Sequence, residues 1–475
     1  MSPISEREMS SFTPPVDEIK KRAENCIKFL NDSPDPYYCV ATSSKILDDA
    51  AFIKISEGDS WQSLVQPGGK YYFTREMSSI VAFAVGPNFK PGNAFKILGA
   101  HTDSPNLRVK PHSKRNGSGL AQLNVATYGG GLWHTWFDRD LSISGKVIVR
   151  KEVDGKTKFS QQLVRLQKPI LRIPNLCIHL QSASEREAFK VNKEDHLMPV
   201  LCTEATAALS KESPDTQQSE LFRLIAAELE CTPTDILDFD LSLYDVQPAT
   251  CGGSTDEFLY SARLDNQASC FAGLDALVTH TDSEAFSNDT GISMVALFDH
   301  EEVGSTSYTG AGSTLMRDSV TRVSSALRPS GDATVPDDAE LFKISLSKSL
   351  ILSVDMAHAV HPNYASKHDK HLAPVMNGGM TVKHNVNQRY ATTSSTAFIV
   401  GELSRRASVP LQQFAVRNDC PCGSTIGPMI SENTGIRAVD IGMPQLSMHS
   451  IREMMGCTDL YYAHKLFTTF FDQFS

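Results

Sequence analysis

Apolar residues recur at helical spacing from the first interpretable stretch onward. "VDEIKKRAENCIKFL" sets Val16, Ile19, Ala23, Cys26, Ile27 and Leu30 on one face, which predicts an amphipathic helix. A second helix is expected after the "SPDP" break. "SSIVAFAVG" (Ser78–Gly86) and "AFKILGAH" (Ala94–His101) read as strands, the second entered through the turn "KPGN".

The pattern changes between residues 107 and 247. "LSISGKVIVR" alternates, with Leu141, Ile143, Val147 and Val149 on one side, and "DFDLSLYD" alternates through Phe239, Leu241 and Leu243. A polar stretch, Ser210–Glu220, reads as a mobile surface loop, and the amphipathic "LFRLIAAELE" follows it. This middle section reads as a self-contained, β-rich insertion. From residue 248 onward, short apolar runs at Met294–Phe298, Leu350–Val354, Phe414–Val416 and Ala438–Ile441 alternate with helical segments such as Asp265–Val278. Such alternation predicts an α/β fold: a mixed, largely parallel sheet sandwiched by helices. Near the end, Leu460, Ala463, Phe467, Phe470 and Phe474 follow 3, 4, 3, 4 spacing and predict a core-facing helix.

Composition narrows the classes. The 475 residues are 41% hydrophobic, enough for about two to three domains with substantial cores. A net charge of −10, with no long basic run, argues against nucleic acid or an anionic membrane as partner. No apolar run reaches the ~20 residues that span a bilayer, and "MSPISEREMSSFTPP" has no signal-peptide character. The expected location is the cytoplasm. Ten scattered cysteines read as buried thiols, and Cys420 and Cys422 lack a second pair at zinc-finger spacing.

The candidate chemistry lies where strands end, which is where open α/β sheets gather their ligands. "GAHTDSP" ends a strand in His101 and Asp103, and "ARLDNQAS" offers Asp265 before a helix. "LFDHEEVGS" offers Glu301 and Glu302, "SVDMAHAVHP" offers Asp355, His358 and His361, and "QLSMHSIRE" offers His449. One such acid is usually a helix cap or turn former. Five exits, each with a carboxylate or imidazole, are not explained by capping alone. Two histidines and three carboxylates suit a pair of borderline ions such as zinc, and a carboxylate can bridge two metals. Residues i and i+2 of a strand share a face, so Asp103 sits either behind His101 or beside the metal. Adjacent side chains point apart, so Glu302 can ligate while Glu301 faces the activated water and relays its proton.

Rival signatures are missing. Gly304 stands where "HEEVG" would need a second histidine for a zincin helix, and there is no nucleophile elbow, P-loop or dinucleotide fingerprint. The His358/His361 and His368/His371 pairs read as pocket or surface residues, and Gly129–Gly131 beside Trp133 and Trp136 as a tight turn with packing aromatics.

"GAHTDSPNLRVKP", "YGGGLWHTWFDRDL", "RLDN", "DHEEVGS", "DMAHAVHPNY", "NQRYAT", "NDCPCGSTIGP" and "MHSIREM", in this order, resemble the aspartyl aminopeptidases of the eukaryotic cytosolic type. The resemblance runs from the first helix almost to the last residue. It implies a zinc-exopeptidase fold: residues 1–106 and 248–475 form a discontinuous metallopeptidase domain, and 107–247 an inserted dimerisation domain. It implies two zinc ions per subunit, one site exchangeable with manganese or cobalt, held by His101, Asp265, Glu302, Asp355 and His449 with Asp265 bridging. Glu301 matches the general base, and Asp103 the carboxylate that orients His101. His358, Lys383 and Tyr390 match residues of the substrate pocket, and His179 one lent to a neighbouring subunit. The expected substrates are peptides with N-terminal Asp or Glu, and the expected assembly is a tetrahedral dodecamer built from dimers, delivered to the vacuole in a fungus. Lys383 and His358 can meet an acidic side chain, and Glu301 and Asp355 the substrate's α-amino group. Two alternatives stay open: a dinuclear-zinc deacylase of N-acyl amino acids, and an idle assembly serving as scaffold or cargo.

Overall fold

Period-two alternation in the core strands sends neighbouring side chains to opposite faces of one sheet. The computed structural model describes residues 14–209, 219–328 and 338–474. Residues 210–218 of the expected polar loop and the first thirteen residues lie outside these, and Ser219 already begins a helix, Ser219–Leu229. The chain divides into two compact units. One comprises the residues up to Asp103, Ala249–Met448 and Glu453 onward; the other comprises Ser104–Pro248 and His449–Arg452.

The first unit is built on a nine-stranded sheet. Its four central strands, Ile292–Phe298, Phe95–His101, Leu350–Val354 and Arg437–Gly442, are parallel. Antiparallel neighbours Ser79–Val85 and Met380–His384 flank them. On one face Leu98, Ala100, Val295, Leu297, Leu352, Val354, Val439 and Ile441 share a core with helices Val16–Asp32, Leu264–Thr281 and Cys457–Gln473. On the other, Phe95, Ile97, Met294, Ala296, Phe298, Ile351 and Ala438 meet helices Leu315–Ala326 and Ile426–Thr434. Burial on both faces is why these strands read as unbroken apolar runs. The first helix buries Ala23, Cys26, Phe29 and Leu30, whereas Val16, at its first position, is 60% exposed and does not join the expected face. The next helix, Pro36–Asp49, starts on Asp35, whose carboxylate accepts the Tyr38 amide at 3.0 Å.

The end of the Phe95–His101 strand away from His101 carries a buried charge network. Lys96 Nζ donates to Asp289 Oδ2 at 2.8 Å and also to the Phe471 carbonyl. His280 bridges Asp472 (2.6 Å) and Asp289 (3.3 Å). The network ties the last helix to the sheet. A five-stranded sheet completes this unit and places Glu453–Gly456 against Phe258–Ser261.

The second unit is a six-stranded antiparallel sheet ordered Lys156–Arg165, Leu141–Val153, Ile236–Asp245, Asn106–Gly117, Leu120–Tyr128, Val200–Thr203. Leu141, Ile143, Val147, Val149, Leu241 and Leu243 are buried in its core, with Phe239 partly so. Trp133 and Trp136 are buried beside the glycine turn. A methyl group at Gly131 would lie 2.7 Å from the Trp133 ring, so the turn tolerates nothing larger there. Among the described residues no helix is long and apolar enough to cross a membrane.

Candidate active site

Three central strands deliver their last residues to one point of the first unit. His101 ends its strand fully buried, and Asp355 follows Val354 directly. The strand beside Asp355 runs close because residue 442 is glycine: a Cβ there would sit 1.8 Å from the Asp355 carbonyl oxygen. Glu301 and Glu302 begin a single 3-10 turn after the Ile292–Phe298 strand, bounded by His300 and Gly304 with φ of +64° and +98°. A glycine suits the second of these positions.

The adjacent glutamates are fixed by a third acid. Asp103, fully buried, accepts the Glu301 amide on Oδ1 at 3.0 Å and the Glu302 amide on Oδ2 at 3.1 Å. Its Oδ1 also lies 3.4 Å from His101 Nδ1, and its carbonyl oxygen 3.0 Å from the same nitrogen. Asp103 therefore sits behind the imidazole and caps the glutamate turn.

The other imidazole nitrogen looks into a ring of carboxylates. His101 Nε2 lies 3.4 Å from Asp265, 3.6 Å from Asp355 and 3.9 Å from Glu301. Ligand atoms of His101, Asp265 and Glu302 all lie within 4.8 Å of one another. Asp355 Oδ1 is buried with no hydrogen-bond donor among the described residues. So many acids around one imidazole repel one another unless they bind protons or meet positive charge at their centre. Burial pushes the Glu301 carboxyl well above its usual range; His101 opposes this, and Asp355 and Glu302 add to it. Burial would lower the pKa of His101, but Asp103, Asp265 and Asp355 outweigh it and hold it well above the ordinary value. One nitrogen and several oxygens that gain from a central cation form a donor set suited to zinc.

Two of the expected pocket residues of this unit, Lys383 and Tyr390, come together. Lys383 is buried, with Nζ 3.2 Å from Asp355 Oδ2, so it is not a surface lysine. The same Nζ lies 5.5 Å from the centroid of the buried Tyr390 ring. Burial pushes the Tyr390 phenol upward, and its hydrogen bond with Cys422 adds to this. His358 is exposed, with its ring edge on Phe414 at 5.5 Å. His361 and His368 instead make turn contacts: the His361 amide donates to His368 at 3.1 Å, and the Asn363 amide to His361 at 3.2 Å.

His449 and His179 belong to the second unit. His449 Nδ1 lies 3.1 Å from the Gly130 carbonyl oxygen. His179 is exposed on the short turn Ile178–Leu180, between Ile178 and Leu180 at 61% and 72% exposure.

Sequence reasoning missed two acids. Glu453, buried, accepts the Asp265 amide at 3.0 Å. Asp440, fully buried, accepts the Ala391 amide next to Tyr390. Each lies in a motif read for another feature, and a lone acid in an apolar run has no local sign of its partner.

The family described as "Aminopeptidase I zinc metalloprotease (M18)" matches residues 29–471. A relative from Ricinus communis, "Probable aspartyl aminopeptidase", is 45% identical over 94% of this chain and 94% of its own. "Aspartyl aminopeptidase" from Aspergillus oryzae is 44% identical over 96% of this chain and 97% of its own. The chain solved in "Cryo-EM structure of the Ape4 and Nbr1 complex" superposes with a TM-score of 0.91 at 41% identity, covering 96% of this chain and 86% of that one. The buried imidazole, the carboxylates around it and a family match over nearly the whole length agree: this chain belongs to the M18 aminopeptidase I zinc metalloprotease family.

Proposed function

We propose that this aminopeptidase removes N-terminal Asp or Glu from peptides, with two zinc ions per subunit. The observation that carries the specificity is Lys383, a buried ammonium paired with Asp355 beside the ligand cluster and roofed by Tyr390. A buried cation needs anionic company, and an acidic substrate side chain can share it. The names of the relatives support the same substrate class.

His101, Asp265, Glu302 and Asp355 would hold the metal in this unit, with Asp265 as the bridge. His449 as a further ligand, and His179 as a residue lent to a neighbouring subunit, rest on the family resemblance. Bound zinc supplies Lewis-acid polarisation of the scissile carbonyl and a nucleophilic water near neutral pH. Glu301 takes the proton of the attacking water and returns it to the leaving amine. Asp103 keeps Glu301 and Glu302 pointing to their separate tasks by holding both amides. Asp355 and Glu301 receive the substrate's α-amino group. Exchange of one ion for manganese or cobalt, assembly into a dodecamer through the second unit, residence in the cytoplasm and delivery to the vacuole in a fungus belong to the same reading. A neighbour solved as "Structure of S. cerevesiae mApe1 dodecamer" supports the assembly.

The test is release from matched dipeptides with N-terminal Asp, Glu, Leu and Lys, before and after metal stripping and zinc restoration. Loss and return of Asp and Glu release with zinc is expected. Preference for Leu would overturn the Lys383 reading. Preference for N-acyl amino acids would favour the deacylase, and a zinc-loaded assembly that cleaves nothing would favour the scaffold.

A further inference from the structure

A deeply buried carboxylate outside the acid cluster is that of Asp440, in the strand Arg437–Gly442. It is 0% exposed. Its Oδ2 accepts the Ala391 amide at 2.5 Å, and its Oδ1 accepts the Thr425 hydroxyl at 2.6 Å. Its own amide donates to the Thr392 hydroxyl at 3.0 Å. One residue thus fastens two separate segments, Ala391–Thr392 and the start of the helix Ile426–Thr434, to the central sheet. Space is reserved for it: a methyl group on Gly427 would lie 2.5 Å from Oδ2. Burying an acid this deeply is costly unless its bonds matter to the folded molecule. Burial does push its carboxyl upward, while Ser353, Thr425, Ala391 and the nearby Lys383 draw it back.

The two fastened segments bracket the pocket wall. Ala391 follows Tyr390, whose ring stands over Lys383, and Thr425 follows the Cys422 loop that meets the Tyr390 phenol. We infer that Asp440 is a positioning residue for substrate binding: its carboxylate locks the Tyr390 segment and the Cys422–Thr425 loop in the register that keeps Tyr390 over Lys383. The inference rests on the reading that Tyr390 and Lys383 face the substrate's acidic side chain. Asp440 touches no reacting atom, so its effect falls on KM rather than on kcat or zinc content.

The experiment compares Asp440→Ala, Asp440→Asn, Gly427→Ala, Tyr390→Ala and the Asp440→Ala/Tyr390→Ala double variant as zinc-loaded full chains, with an N-terminal Asp dipeptide. Asp440→Ala removes two hydrogen bonds and is expected to raise KM about ten-fold or more, with kcat and bound zinc nearly unchanged. Asp440→Asn is expected to restore most of KM, because its amide can accept from Ala391 and donate to Thr425. Gly427→Ala is expected to raise KM in the same direction, and it decides the matter if Asp440→Ala does not fold. The double variant is expected to be no worse than Tyr390→Ala alone. Raised KM in Tyr390→Ala with unchanged KM in folded Asp440→Ala or Gly427→Ala overturns the inference and leaves the pocket reading standing. Unchanged KM in Tyr390→Ala overturns the pocket reading, and this inference with it. Zinc loss and a fall in kcat in Asp440→Ala that Asp440→Asn does not correct would show a merely structural role.

Discussion

The ammonium of Lys383 lies 3.2 Å from Oδ2 of Asp355, and both residues stand at the edge of the same acid cluster. That pairing sets the buried ammonium against one carboxylate of the cluster. Lys383→Met is expected to raise KM for N-terminal Asp and Glu peptides by roughly ten- to a hundred-fold, the worth of one charged hydrogen bond. Leu peptides should change little. Steady-state kinetics on the matched set decides; an equal loss for all substrates would place Lys383 in support of Asp355 instead.

Glu301→Gln keeps the shape and the amide anchored on Asp103 but removes the base. Turnover should fall by about 10²–10⁴ with zinc content and melting temperature close to the parent. A zinc-replete variant with parental kcat would end the assignment of Glu301 as base.

Metal removal should weaken the fold as well as stop catalysis. Asp265, Asp355 and Glu301 lie 3.4, 3.6 and 3.9 Å from the same imidazole nitrogen, and these carboxylates repel one another without a cation between them. Binding to the folded state alone contributes about 2.7 kcal/mol at a hundred-fold excess over Kd. Calorimetry after chelation should show a lower melting temperature that zinc restores. No shift would mean that the cluster holds no ion of consequence.

Asp459 gives a pH signature away from the cluster. Fully buried, it accepts the Asn377 amide at 2.7 Å and the Gly379 amide at 2.9 Å, which fixes the approach to the Lys383 strand. Burial pushes its pKa from 3.8 up to about 8, against the pull of those two amides. The folded-state pKa is raised, so this group's contribution is whole below 3.8 and shrinks as pH rises towards 8. Between those limits the unfolded chain has lost a proton that the fold keeps, a slope of about −1.4 kcal/mol per pH unit. Urea unfolding of parent and Asp459→Asn should show the parent's advantage declining from about pH 5 to about pH 7.5. A constant gap would mean that Asp459 is ionised in the fold throughout.

Lys96 is expected to matter for stability and not for chemistry. Lys96→Ala takes the ammonium from the buried Asp289, leaving it His280 and the Gly291 amide, and should cost about 3 kcal/mol. KM should hold, because Lys96 sits at the opposite end of the strand from His101. A change in KM without loss of stability would contradict this.

The fold was legible because its signals are local. Strands buried on both faces announce themselves as apolar runs, and the helices at Val16–Asp32 and Cys457–Gln473 as spaced apolar residues. His101, Glu301, Glu302 and Asp355 stood out because parallel strands must release their chains at one edge, and these residues occupy the exits. What stayed hidden is nonlocal. Nothing near Asp440 says that it meets Ala391, and nothing near Glu453 says that it meets Asp265. Lys383 was singled out by resemblance alone, because its burial comes from strands far away in sequence. Val16 failed as a core residue because periodicity gives a face but not where that face runs out of core.

The bond from Glu453 to the Asp265 amide spans 188 residues. During synthesis the ribosome therefore releases His101, Asp265 and Glu302 long before it makes the acid that steadies one of them, and before it makes the helix Cys457–Gln473 that covers their sheet. A nascent chain carries these ligands but not their frame. A ribosome-bound chain stalled before Glu453 should bind zinc far more weakly than the released protein.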